Sequence, residues 1–507
     1  MRGERAARLL ASAATLSATL SQPVRGLETT LAGRRFELTG YGEARQVLDA
    51  NQDTQAERTF LQLLLRTRYS LTDGLSLESV VSGAYGGPAT DSTGAGIYTL
   101  DQVFQSRSPS LELEEAFLDW HTASFDVRVG KQKFAWGKLD RFQAVDVLNT
   151  ERYSDLLLEE DERKIGAPAL QVSYSLPERF SPTEESRFTV VWIPQYLPFR
   201  FPRPEERWFP PAGMPPSMIS IPSFPCVNRT VEAFDAPVGF ATSNRSAPDF
   251  EPENWGYAAR FSGYAGGLDY GLYYYHGFDS QPAFRLSATA SGVLDTSQPN
   301  DYLVTAATRL RPVFRQIDLW GADAAYAWGP LTMRAEGAFV RGRPFSRDLR
   351  SLIADPTQLA PQICAAFDHF DRGDPTAEID LPPSFVERNA FEWGVGVDYD
   401  LFGYLLLVQV NQTDVLDNDI DLLIEDIETR VLANLRKTFL HDDLTAQLIA
   451  QRAIESEYTL LLPRLTYQVW RGLQVRVGYL MIGGRTSSVI GQYRKNDEAF
   501  FRIRYLF

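Results

Sequence analysis

From Arg34 to the end of the chain, apolar and polar side chains alternate in segments of about ten residues, the period of a strand with two unlike faces. In TFLQLLLRTRY, Leu61, Leu63, Leu65 and Tyr69 fall on one face, with Gln62, Arg66 and Arg68 on the other. In AFEWGVGVDY, Phe391, Trp393, Val395, Val397 and Tyr399 oppose Glu392 and Asp398. IETRVLANLRK sets Ile427, Val431 and Leu435 against Glu428, Arg430, Asn434 and Arg436, and LQVRVGYLM repeats the scheme. The last segment, AFFRIRYLF, alternates up to its final residue, with Phe501, Ile503, Tyr505 and Phe507 on one face. Half-buried soluble strands look the same singly; the number of such segments points to a barrel.

Connection lengths alternate as well. Tight turns stand at 72–74, 264–268, 328–330, 400–403 and 470–473, and long polar stretches at 86–108, 137–166, 198–254, 278–301 and 343–388. Short turns on one side and long loops on the other are the mark of an outer-membrane barrel with its long loops outward. The pattern predicts an all-β antiparallel transmembrane barrel over residues 34–507 with 18 strands, 16 being the alternative count. An even count returns both ends to the periplasm. Trp120, Trp136, Trp192, Trp255, Trp328, Trp470 and Tyr273 to Tyr275 gather near the predicted strand ends, as interfacial girdles do.

Composition agrees with this and narrows it. The 507 residues are 44% hydrophobic, with 22 Tyr and 31 Phe, yet no window past the N-terminus approaches the roughly 18 uninterrupted apolar residues of a membrane helix. At the start, Arg2, Arg5 and Arg8 precede an apolar stretch from Leu9 to Leu20, the layout of a signal peptide over 1–26. That predicts export to the outer membrane of a Gram-negative cell. A net charge of −15 argues against nucleic acid as a partner. GxSxG, HExxH, phosphate-loop and dinucleotide fingerprints are missing, and His121, His276, His369 and His441 stand in no motif with a nucleophile. The sequence is read as neither an enzyme nor a cofactor protein.

Inward positions are not randomly charged. Arg464, Arg476, Arg502 and Arg504 lie on the last three segments, and Arg45, Arg66 and Arg68 on the first two, so closure gathers them into one basic wall. Glu115, Asp119, Glu336, Glu392 and Asp398 provide acidic counterparts across the lumen. Two outcomes stay open: a transverse field across a pore, or salt bridges that plug it. In loop 137–166, Val145, Leu148, Tyr153, Leu156 and Leu157 have helical spacing, which suggests an element folded into the mouth, with Lys138, Asp140 and Arg141 near the narrowest point; an external lid is the alternative. Two acidic clusters, Asp414, Asp417, Asp419 and Asp421, and Asp368, Asp371 and Asp374, lack the closing Glu of a calcium loop, so no metal centre is assigned. The only two cysteines, Cys226 and Cys364, fall in the two longest loops, and an oxidising compartment predicts a disulfide between them.

The stretch VRVGKQKFAWGKLDRFQAVDVLNTERYSDL and the ending GQYRKNDEAFFRIRYLF resemble proteobacterial outer-membrane barrels of unknown function, whose genes often sit beside RND-superfamily exporters and LolA-like lipid carriers. More distantly the chain is similar to alginate-export porins. The resemblance, over most of the chain after Gly33, implies an outer-membrane conduit for a solute or lipid-like substrate. Alternatively it implies a structural platform for a periplasmic carrier or exporter. It further implies contact with outer-membrane lipid and lipopolysaccharide, and recognition of Phe501, Ile503, Tyr505 and Phe507 by the barrel-assembly machinery.

Overall fold

A computed structural model describes residues 26–50, 57–86, 110–152, 156–157, 159–177, 183–200, 202, 206–210, 216–242, 248–347 and 356–507. Residues 1–25 of the expected leader over 1–26, and the stretch 87–109, lie outside them.

Eighteen antiparallel strands, β1 to β18 in chain order, close into a barrel. The first six are β1 (Arg34–Asp49), β2 (Glu57–Ser70), β3 (Leu75–Tyr85), β4 (Ser110–His121), β5 (Phe125–Gln132) and β6 (Ala167–Ser175). Then come β7 (Glu185–Ile193), β8 (Gly256–Ala265), β9 (Leu268–Phe278), β10 (Gln316–Trp328), β11 (Leu331–Ser346) and β12 (Phe385–Leu401). The last six are β13 (Tyr404–Val415), β14 (Ile427–Phe439), β15 (Leu444–Ala453), β16 (Tyr458–Trp470), β17 (Leu473–Gly484) and β18 (Glu498–Leu506). Each pairs with its chain neighbours, and β18 closes on β1 with Tyr41 opposite Leu506 and Asp49 opposite Glu498. Phe507 extends the closure by exchanging backbone hydrogen bonds with Gly40 at 2.9 and 3.0 Å. Beyond it, Leu27–Leu31 folds back on the start of β1.

The faces obey the alternation. Leu61, Leu63, Val395, Leu435, Leu465, Val477 and Phe501 are exposed on the outside, while Glu43, Glu112, Glu336, Gln409, Glu428 and Arg502 are buried inside. A closed sheet with an apolar outer band is a transmembrane barrel, because every backbone group is paired and the band suits hydrocarbon. Trp120, Phe125, Tyr264, Trp328, Phe439 and Tyr467 stand exposed near the short-turn ends, where a girdle belongs. Trp136, Tyr273 and Tyr275 do not join it. On β9 the odd positions face inward, so Tyr273 and Tyr275 are buried and Trp136 packs on Tyr273 with ring centroids 5.4 Å apart.

Three long connections on one side build a folded cap. Connections 194–255, 279–315 and 347–384 contribute a five-stranded sheet in the order 376–379, 283–294, 302–313, 234–242, 218–221. The stretch read as loop 278–301 is thus the first half of a hairpin, and the connection runs to 315. Two helices were not legible as such: a single turn α1 (Glu160–Arg163) in connection 133–166, and α2 (Ala360–Asp371) in the cap. Helix α2 carries Pro361 in its first turn and buries Ile363, Ala366, Phe367 and Phe370 against the cap sheet, the spacing of one helical face. Arg229 ties the cap across loops: its guanidinium lies 4.6 Å above the Phe367 ring, pairs with Asp371 at 3.2 Å and donates to the carbonyl of Asn300.

Cys226 and Cys364 are bonded, with Cα atoms 5.7 Å apart and 138 positions between them in sequence. The chain-entropy model values such a link at about 4–5 kcal/mol, an upper bound because the barrel already holds the loop bases together. Reduction should therefore raise protease cleavage within 194–255, 279–315 and 347–384 severalfold while the far-UV β signal of the barrel stays unchanged. Limited proteolysis followed by mass spectrometry checks this.

Candidate functional site

Connection 133–166, between β5 and β6, does not cover the barrel from outside. It enters the lumen and touches both walls. Its first limb buries Phe134, Trp136, Val145 and Leu148 against inward residues of β6 to β11, among them Val191, Tyr275, Leu319 and Val340. Two glycines leave room for it. A Cβ on Gly321 would meet Val145 at 2.5 Å, and one on Gly394 would meet Leu139 at 2.6 Å.

The connection is mostly irregular rather than helical, because side chains satisfy its backbone. Glu336 of β11 accepts from Leu139 N at 2.6 Å and Ala144 N at 3.1 Å, and also from Lys138 N. Gln409 of β13 accepts from Asp140 N and donates to its carbonyl, both at 2.9 Å, while Asn411 donates to Phe142 O at 3.0 Å. Within the connection, Asn149 accepts from Phe134 N and donates to the carbonyls of Gln132 and Ile165. Lys138 reaches Asp269 at 2.9 Å and Asp323 at 3.5 Å, and Arg334 bridges the Lys138 carbonyl, Asp140 and Asp398. Arg141 sits in the left-handed region at φ 61° and lines the space on both sides of the connection. Tyr153 lies outside the described residues.

The return limb meets the basic wall. Glu159 pairs with Arg476 at 2.6 Å, Arg464 at 3.4 Å and Arg502 at 3.8 Å; Glu162 pairs with Arg504 at 2.7 Å. Glu43 of β1 joins Arg502 and Arg504 at 2.9 and 2.6 Å. Register explains the need: Arg502 stands directly opposite both Arg45 and Arg476 on its two neighbouring strands. Like charges in that arrangement repel unless anions intervene. Burial works against ionisation of Glu159 and Glu162, but the surrounding guanidiniums together outweigh it and hold both carboxyls below the ordinary glutamate range.

Two cavities flank this limb. The outer one, about 510 Å³, lies between cap and lumen and is lined by Phe142, Phe209, Phe345, Leu460 and Tyr493 among others. The inner one, about 160 Å³, reaches Arg464 and Glu159. Arg141, Leu156 and Arg163 line both, so this part of the connection is what stands between them.

A family model described as a protein of unknown function, DUF1302, matches residues 46–445. The chain belongs to the DUF1302 family. No curated protein matches it. Among solved structures, Acinetobacter baumannii OccAB4 is 9% identical, with a TM-score of 0.45, over 93% of this chain and 97% of that one. Acinetobacter baumannii OccAB2 is 10% identical, with a TM-score of 0.44, over 93% and 97%. Salmonella typhi OmpF, solved with daunomycin, is 10% identical, with a TM-score of 0.38, over 95% and 100%. The barrel itself is established by its own strand pairing.

The remaining expected residues of this DUF1302 barrel take varied positions. Arg66 and Arg68 are exposed, further along β2 toward the short-turn end than Phe60, which faces Arg45; Arg68 pairs with Glu78 at 3.5 Å. On β4, Glu115 accepts from Lys133 N at 2.9 Å and Asp119 pairs with Arg128 at 3.2 Å. Glu392 pairs with Arg343. A second polar cluster was missed by the sequence reading: Glu112 and Glu114, buried at a β-bulge, bind Arg152 at 2.9 Å each, and Arg200 forks onto Glu112. The bulge breaks the period of two, which is why alternation alone did not place them. Among the described residues no three His, Cys, Asp or Glu side chains converge as a metal site needs; Asp419 pairs with Arg388 at 2.8 Å instead.

Glu336→Ala leaves three amides of the connection without their acceptor, at roughly 1–3 kcal/mol for each donor that stays buried. Hydrogen exchange at residues 138–144 should rise well above wild type while exchange in β14 to β18 is unchanged. Because the folded-state values of Glu159 and Glu162 are lowered, their contribution to docking is complete above the ordinary value of 4.5 and is lost as pH falls through the lowered values. Protection factors in the return limb, which divide out the intrinsic pH dependence of amide exchange, should accordingly fall on acidification below about pH 4.5 and be flat from there to neutral pH.

Proposed function

We propose that this barrel is an outer-membrane channel that passes a solute through the lumen beside connection 133–166. One observation carries the reading: the two cavities approach each other from opposite sides of the same short limb, which meets the barrel wall through ion pairs and the packing of Leu156 and Leu157 and not through strand pairing. Ion pairs to a partly solvated carboxylate exchange readily for water or another anion, whereas strand pairing does not. Arg141, Leu156 and Arg163 form the constriction, and Lys138 and Asp140 anchor its fixed edge. The arginines of β16 to β18 and β1 give the passage an anion-attracting wall. The outer-membrane setting follows from the apolar band and girdle, and insertion there would use the outward aromatic face of β18.

Purified protein in planar bilayers should give steady conductance with anion preference. Neutralising Arg476, Arg502 and Arg504 together by Gln should shift the reversal potential toward cation selectivity. An unchanged potential would make the arginine wall purely structural. Silence of the wild type would support a plugged barrel that serves as a platform for a periplasmic carrier or exporter.

A further inference from the structure

The lumen departs from the usual polar interior of a transmembrane barrel. Inward positions of β14 to β16 carry Leu432, Ile449, Leu460 and Leu462, which belong to one buried apolar cluster with Trp208 and Tyr493. Register stacks them by height. Leu460 stands opposite Gln451, which faces Leu432 on its other side; one step lower Leu462 stands opposite Ile449. The next step down is Arg464, opposite Gln447. An apolar level therefore sits directly above a basic one. Leu460 and Arg464 are about 13 Å apart along the strand at its usual rise.

This wall is not filled by the connection alone. Leu460 lines the outer cavity, while Leu432, Ile449 and Leu462 line the inner one, and Leu156 borders both. The inner cavity ends on Arg464 and Glu159. There Glu159 keeps 38% of its side chain exposed while paired with three arginines. A carboxylate from the protein itself thus occupies an oxyanion seat that the cavity can reach.

Resting on the channel reading above, we infer that the transported class is an amphipathic anion: its hydrocarbon part lies along Leu460, Leu462, Ile449 and Leu432, and its carboxylate, sulfonate or phosphate head displaces Glu159 from Arg464 and Arg476. Displacement frees the return limb from the basic wall, so the head group that is recognised also loosens the constriction. A short hydrophilic anion lacks the apolar contact, and an amphipathic cation meets the wrong charge below it.

The test uses the full chain in nanodiscs of neutral phosphatidylcholine, with binding of radiolabelled decanesulfonate followed by equilibrium dialysis and empty discs subtracted. Saturable decanesulfonate binding is expected, with none for ethanesulfonate or decyltrimethylammonium over the same range. Glu159→Gln, which removes the internal competitor, should tighten binding by about tenfold, the scale of one charge-assisted contact. Arg476→Gln should weaken it by a similar factor, and Leu462→Ser should weaken decanesulfonate more than octanesulfonate. Equal binding of ethanesulfonate and decanesulfonate, no binding above empty discs, or an unchanged affinity in Glu159→Gln would each overturn the inference. The bilayer assay keeps the two ideas separate. Binding without current fails the channel and keeps the ligand class; current without binding does the reverse.

Discussion

Arginines on four neighbouring strands cannot share one wall of a narrow lumen unless carboxylates stand between them. Arg45, Arg502 and Arg476 are direct cross-strand neighbours, with Arg464 and Arg504 beside them. Among the described residues, only one of the carboxylates that meet Arg464, Arg476, Arg502 and Arg504, Glu43, comes from the barrel wall. Glu159 and Glu162 arrive on a connection rooted between β5 and β6, far around the sheet. The charge of the wall and the path of the connection are therefore matched, because the connection brings counter-charge that the wall lacks.

The two limbs of that connection are held by different physics. The first is locked by shape and by uncharged donors: glycine gaps at Gly321 and Gly394, a packed apolar cluster, and amides on Glu336 and Gln409. Such contacts are short-ranged and all-or-none. The second depends on charge at a partly solvated surface, where salt and competing ions act. The connection therefore has one fixed edge and one exchangeable edge.

Much of the fold was legible in alternation, because a barrel wall has only two faces and the membrane makes one of them apolar. The register of β2, β12, β14, β17 and β18 needed nothing else, and the pairing of Cys226 with Cys364 needed only their loops and compartment. What failed had identifiable causes. Tyr273 and Tyr275 looked like girdle residues because an aromatic carries no sign of which face it takes. Connection 133–166 looked helical because Val145, Leu148, Leu156 and Leu157 have helical spacing, yet they pack against two different walls. Glu159 and Glu162, the partners of the basic wall, lay in an acidic run that reads as ordinary solvated surface. The cap sheet was invisible for another reason: its strands pair across three loops, and local pattern carries no information about such partners.

That cap is a domain without a segment. The five strands of its sheet, helix α2 and its disulfide come from three stretches of chain separated by pairs of membrane strands, β8–β9 and β10–β11. No contiguous piece of gene encodes it, so recombination cannot lift it from one barrel and set it on another. It can be inherited only with the strands that hold its parts in place, and its shape must diversify by point substitution within loops whose spacing the barrel dictates.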